Sequence, residues 1–161
     1  MPRLSFRMQK QLTHVWCWAA VSVSVDRYFD RGSEWRQCGL AKEVTKQPVC
    51  CTKPVPHDCV KPFFLEDALE IIGRLKGDPT SGPLSFKQIQ HRINNDRPIC
   101  ARIGWRGGGG HFVVISGYRT HKGVRQVDID DPQRKGASTI DYRTFVHKYR
   151  AVGRWTHTYP V

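Results

Sequence analysis

Gln11-Leu12-Thr13-His14-Val15-Trp16-Cys17-Trp18-Ala19-Ala20 is the stretch on which both the fold and the chemistry of this chain turn. From Thr13 to Phe29, residues Trp16, Ala19, Ala20, Val23 and Tyr28 recur at helical spacing, and Gly32-Ser33 breaks the pattern. The spacing predicts one helix with Cys17 at its start. A helix N-terminus carries partial positive charge, so that position stabilises a thiolate over a thiol. A catalytic thiol also needs a base beside it, and histidine is the side chain suited to the task. Moving outward, His111 follows Gly107-Gly108-Gly109-Gly110 and opens the apolar run Phe112-Val113-Val114-Ile115. It can be held from the strand side while substrate backbone passes on the glycine side. A histidine used this way needs an acceptor on its second nitrogen. Asp130 and Asp131 lie at the end of Val127-Asp128-Ile129, and either could reach. His14 is nearer to Cys17 in sequence, but it lies on or beside the same helical turn, where a carboxylate could not easily orient it. It is read as cleft lining or packing.

The chain of 161 residues, 39% hydrophobic, is long enough for one domain with a real core and too short for two. No window approaches the roughly 18 consecutive apolar residues of a membrane span, and Met1-Pro2-Arg3-Leu4-Ser5-Phe6-Arg7 lacks the apolar stretch of a signal peptide. The formal charge of +12, from 26 Lys+Arg against 14 Asp+Glu, suggests attraction to anionic surfaces such as cell wall, nucleic acid or an acidic partner. The basic residues are scattered, however, and no zinc-finger, helix-turn-helix or RNA-binding signature accompanies them, so no specific nucleic-acid partner is expected.

Helices dominate the first half. Trp35 to Pro62 carries Cys38, Cys50, Cys51 and Cys59 among four prolines and reads as a cross-linked, loop-rich insertion with little regular structure. Phe64 to Leu75 reads as an amphipathic helix with Leu65, Ala68, Leu69, Ile71 and Ile72 inward, and Gly77 to Pro83 as turns. Ser85 is placed to cap a short helix running through Ile89 to Ile93. After Pro98 the texture changes to strands: Ile99 to Ile103, Phe112 to Tyr118 and Val124 to Ile129. A helical segment from Tyr142 to Tyr149 and a last strand around Trp155 to Tyr159 complete the chain. Helices followed by an antiparallel sheet make an α+β domain.

Gln11 six residues ahead of Cys17-Trp18-Ala19-Ala20, together with His111-Phe112-Val113-Val114 and Asp131-Pro132 in that order, resembles the bacterial papain-like cysteine peptidases. That group includes staphopain-like effector proteases and, more distantly, the peptidase domains of bacteriocin exporters. The resemblance spans Gln11 to Tyr159 and implies a papain-like fold. Its helical lobe, about residues 1–97, would bear Cys17 and pack on a β lobe, about 98–161, bearing His111 and Asp131, with the substrate cleft between. It also implies the roles: Cys17 as nucleophile, His111 as base and acid, and Asp131 rather than Asp130 as orienter. Gln11 would donate its amide to the oxyanion together with the Cys17 N–H. Trp16, Trp18, Trp105, Gly109 and Gly110 are the candidate substrate-lining positions. Three features depart from papain: the residues around the cysteine, the shorter separation of cysteine and histidine, and an aspartate in the third place.

With Cys17 kept free, Cys38, Cys50, Cys51 and Cys59 are expected to form two disulfides, with vicinal Cys50 and Cys51 not joined to each other and the pairing otherwise open. Free thiols, or zinc held by Cys38, Cys50 or Cys51, His57 and Cys59, are the competing arrangements, although paired Cys-x2-Cys knuckles are absent. Cys100 reads as a buried strand residue. The expected function is thus a thiol peptidase without metal or organic cofactor, acting on a protein or peptide, and secreted or delivered outside the producing cell as an effector or toxin. A toxin would be accompanied by an immunity or inhibitor protein blocking the cleft. The same residues could instead serve an amidase, deamidase or transglutaminase-like toxin acting on peptidoglycan or a side-chain amide. A catalytically idle binding module would have no physical need for all four.

Overall fold

A computed structural model describes residues 2–161, and the hydrophobic periodicities resolve there into five α-helices and a six-stranded antiparallel sheet. In chain order these are α1 (Cys17–Phe29), α2 (Gln37–Thr45), a 3-10 turn at His57–Cys59, α3 (Leu65–Ile71), β1 (Thr80–Ser81), α4 (Phe86–Asn94), β2 (Ile99–Trp105), β3 (Gly110–His121), β4 (Val124–Asp130), β5 (Ala137–Asp141), α5 (Tyr142–Lys148) and β6 (Gly153–Tyr159). The strand order is β1-β6-β2-β3-β4-β5. The α+β class is as expected.

Every residue of α1 from Cys17 to Asp26 is buried, so this helix is central instead of lying half in solvent. It packs on β3, with α2 and α3 at its flanks. Two of its buried polar side chains, Ser24 and Asp26, are satisfied within the fold, while the buried Ser22 hydroxyl has no protein partner. Ser24 Oγ donates to the Ala20 carbonyl at 2.6 Å, and Asp26 accepts from Arg74 Nε at 2.6 Å and from Ser33 Oγ. β3 is the matching central strand, buried from His111 to Gly117. A chain segment ahead of α1 runs along the same sheet: Leu4 N–H donates to Ser116 O at 2.8 Å and Tyr118 N–H to Pro2 O at 3.2 Å. One continuous apolar cluster therefore includes residues from Leu4 to Val161.

Ser85 caps α4 as the sequence suggests, in a reciprocal capping box with Gln88. Other elements differ from expectation. The segment 35–62 contains the nine-residue helix α2, its Leu40 and Ala41 turned into the core. The third helix ends at Ile71, which is 43% exposed instead of inward, while Leu65, Ala68, Leu69 and Ile72 are buried. Residues 13–16 form turns and α1 begins at Cys17 itself. Strands β1 and β5, unexpected from the sequence, extend the two sheet edges. The disulfides are Cys38–Cys51 and Cys50–Cys59, leaving Cys17 and Cys100 as free, buried thiols. With all four sulfurs bridged, the zinc alternative loses its thiolate ligands, and His57 lies out in solvent beside Asp58. No helix among the described residues is long and apolar enough to cross a membrane.

Candidate active site

Two pieces of backbone geometry bring distant residues together. The first helical residue of α1 is Cys17, 8% exposed. The β2–β3 hairpin turns through Gly108 and Gly109, whose positive φ values of 99° and 79° suit glycine. It sets His111 opposite Ile103, one residue into β3. The two meet at a cavity of about 400 Å3. Val15, Trp18, Pro62, Phe63 and Phe64 form its apolar wall, and Arg102, Trp105, Gly110, His111 and Phe112 face them, with His14, Cys17 and Gln133 completing the lining.

His111 is 2% exposed, and its Nε2 lies 2.7 Å from Asp131 Oδ1. With Nε2 so engaged, Nδ1 is the nitrogen left for Cys17. Burial alone would lower the imidazole pKa. The hydrogen bonds to Asp131 and Cys17 and the charge on both outweigh it, raising His111 to about 9. Asp131 moves the other way. Burial would raise its pKa, but the bond and charge of His111, the Tyr149 hydroxyl and the Gln133 N–H hold it at about 2. The site therefore favours an imidazolium–carboxylate pair at neutral pH.

Asp130 faces elsewhere. It accepts from Ser116 Oγ within the sheet, and burial raises its pKa. Of the two adjacent aspartates, Asp131 is the one beside His111. Gln11 is tied to the same corner through its backbone, its N–H donating to Pro132 O at 2.9 Å. Its side chain does not line the cavity. One Nε2 hydrogen goes to Thr13 O at 2.9 Å, and Oε1 is buried with no protein donor. Trp18, Trp105 and Gly110 line the cavity, whereas Gly109 lies at the exposed hairpin tip. Trp16 is fully buried and donates Nε1–H to Cys59 O at 2.9 Å, which makes it a core residue and corrects its expected place in the cleft. Trp18 combines lining with packing: its Nε1–H donates to Lys61 O at 3.0 Å and its ring meets Phe63 at 5.3 Å.

A Cβ at Gly110 would come within 2.7 Å of the Arg102 guanidinium, the movable end of a flexible side chain. Several site residues had no signal in the sequence. Arg102, Phe63 and Phe64 belong to unremarkable local patterns, although Pro62-Phe63-Phe64 is an apolar pair directly after a proline. Tyr149 falls at the end of a short helix, where nothing marks it as a partner of Asp131.

Among the described residues no group of three His, Cys, Asp or Glu side chains is gathered as a metal site. The arrangement present, a thiol at a helix start beside a buried imidazole paired with a carboxylate, has the parts for nucleophilic acyl transfer. No curated protein matches the sequence. The family model described as "Papain-like cysteine protease AvrRpt2" matches residues 3–150. With that match extending over most of its length, the chain belongs to this family of bacterial papain-like proteases and is a cysteine peptidase.

Proposed function

We propose that this peptidase cleaves peptide bonds through Cys17, His111 and Asp131, in a cleft between a helical lobe (about 1–97) and a β lobe (about 98–161) of a single domain. The observation that carries the reading is His111 itself, its Nε2 2.7 Å from Asp131 Oδ1 and its imidazole lining the same cavity as Cys17. Cys17 acts as the thiolate with its proton already on His111, and the sulfur attacks the substrate carbonyl. The oxyanion accepts hydrogens from the Cys17 N–H and from the Gln11 Nε2 hydrogen that Thr13 does not use. His111 then protonates the leaving amine, and the acyl group remains on Cys17 as a thioester. Water, deprotonated by His111, attacks the thioester carbonyl, which releases the acid and restores the thiolate beside the imidazolium. Asp131 keeps the imidazole oriented throughout. No step calls on a metal or organic cofactor.

The two disulfides favour a protein that is secreted or delivered outside its producer, as an effector or toxin. In the toxin case an immunity or inhibitor protein would occlude the 400 Å3 cavity. The test is incubation of the protein and a Cys17→Ala control with a proteome-derived peptide mixture under reducing conditions, with new termini read by mass spectrometry. Cleavage dependent on Cys17 is expected. Absence of cleavage, with Cys17 still alkylated rapidly, would shift the reading to an amidase, deamidase or transglutaminase-like activity on the same residues.

A further inference from the structure

We propose that Tyr149 is a positioning residue of the peptidase, holding Asp131 through its hydroxyl and His111 through the Trp105 ring. The inference rests on the Cys17–His111–Asp131 reading above and adds to it the group that fixes the orienter. Tyr149 closes α5 and is 2% exposed. Its hydroxyl donates to Asp131 Oδ2 at 2.7 Å, while Oδ1 receives His111 Nε2 at 2.7 Å and the Gln133 N–H at 2.9 Å. Each carboxylate oxygen thus has its own donor. Rotation of the carboxylate away from His111 would break the bond on the far side as well.

The same tyrosine reaches His111 by a second route. Its ring stacks on Trp105 at 6.4 Å and 21° between planes, and Trp105 stacks on His111 at 6.0 Å and 20°. His111, Asp131, Tyr149 and Trp105 therefore close a ring of contacts, two polar and two aromatic. Arg150 seals the outside of the ring. Its guanidinium lies 5.6 Å from the Trp105 ring centre, donates to Gln133 Oε1 at 2.6 Å and approaches Asp131 Oδ2 to 3.8 Å.

The backbone beyond Tyr149 is shaped to permit this packing. Arg150 and Ala151 both take positive φ, 49° and 72°, in a turn closed by the Gly153 N–H on Tyr149 O at 2.8 Å. A Cβ at Gly153 would meet Ile103 at 2.5 Å, Trp105 at 2.7 Å and Tyr149 O at 2.8 Å. Only glycine lets β6 start so close to the Trp105 ring and the Tyr149 carbonyl. Burial and the neighbouring Asp131 charge raise the Tyr149 pKa, which keeps its proton available for donation. Tyr149 does not line the cavity, so it acts on catalysis only through Asp131 and Trp105.

The test is Tyr149→Phe, which keeps the ring on Trp105 and removes only the donor. Steady-state kinetics on a cleaved peptide should show kcat about tenfold lower with KM within about twofold, in line with outer-shell partners of catalytic groups. In an Asp131→Ala background the same substitution should have no further effect on kcat. The iodoacetamide alkylation rate of Cys17 provides a second readout that needs no peptide, and Tyr149→Phe should slow it in the wild-type background alone. An unchanged kcat and alkylation rate in Tyr149→Phe, or an equal loss in the Asp131→Ala background, would overturn the proposal. If no peptide is cleaved while Asp131→Ala slows alkylation, the peptide-hydrolysis reading has failed, and the alkylation of Tyr149→Phe still decides the role of Tyr149.

Discussion

His111 and Asp131 shift in opposite directions, and the pH behaviour of the site follows from the signs. His111 is raised to about 9, so its contribution to the folded state is complete below its ordinary value of roughly 6.5 and is lost as pH rises through about 9. Asp131 is lowered to about 2, so its contribution is complete above roughly 3.9 and is lost as pH falls toward about 2. Activity that requires the imidazolium should accordingly persist through neutral pH and decline near pH 9. Asp131→Ala removes the strongest support of that proton and should move the alkaline limb of kcat/KM toward roughly 6.5. A limb that stays near 9 in the variant would rule out Asp131 as the partner. Gln11→Ala should cost about 100-fold in kcat at nearly constant KM, the usual penalty for losing one oxyanion donor. The amide orientation behind that expectation is forced, because reversing it would set Oε1 against the Thr13 carbonyl. At this scale the residues gathered at the candidate site were legible, since Cys17 and His111 at the cavity and Asp131 behind His111 each stand at the edge of a strongly patterned segment. Trp16 and Trp18 were not separable. Both belong to the same aromatic run, and only the helix rotation sends one indole to Cys59 O and the other to the cavity wall.

Those two indoles also show how one element supports another. Trp16 and Trp18 flank Cys17 and donate to the carbonyls of Cys59 and Lys61, in the segment that leads directly into Pro62, Phe63 and Phe64 of the cavity wall. The Cys50–Cys59 bridge anchors that segment to the loop after α2. A Cys50→Ala/Cys59→Ala variant should lose about 2–4 kcal/mol of stability, as expected for closing a short loop. It should also raise KM more than it lowers kcat, because the wall moves while the His111–Asp131 pair stays on the sheet. Thermal unfolding alongside Michaelis kinetics would check both, and a fall in kcat at constant KM would mean the bridge serves the nucleophile instead. α2 lies in this same region and was hidden in the sequence. Its nine residues include Cys38 and Gly39, and the prolines and cysteines around them mask a stripe of only two core residues, Leu40 and Ala41. β5 was hidden for the complementary reason. Ala137-Ser138-Thr139-Ile140-Asp141 is a mostly polar edge strand, assigned by pairing with β4 and lacking alternation of its own. Helix α4 could be read because Ser85 offers a cap just ahead of Ile89 and Ile93 at helical spacing, signals carried entirely by local sequence.

For the molecule as a whole, the charge of +12 was plain from composition, but its consequence depends on where the cations stand relative to the cavity. Arg102 lines the site itself, and Arg106 and Arg154 line a neighbouring depression that shares Trp105 with it, while Arg150 covers the outer side of that tryptophan. Among the described residues no carboxylate lines either depression; Asp131 beside His111 is 1% exposed and already paired, and Glu66 lies behind the wall, two residues beyond Phe64. The lining of the two depressions is therefore cationic, and it should draw acidic peptide segments toward Cys17. Because these guanidinium groups face solvent, the attraction should be screened over a Debye length of about 10 Å at 0.1 M salt. Raising salt from about 20 to about 200 mM should lower kcat/KM several-fold for a peptide carrying acidic residues near the scissile bond, chiefly through KM. A matched peptide carrying lysines should be unaffected or improved. Arg102→Gln would weaken the salt response if the effective charge lies inside the cavity, whereas Arg106→Gln with Arg154→Gln would do so if it lies at the rim. Equal salt dependence for the acidic and basic peptides would place the excess charge away from the cleft and leave it acting on solubility or on a separate anionic surface.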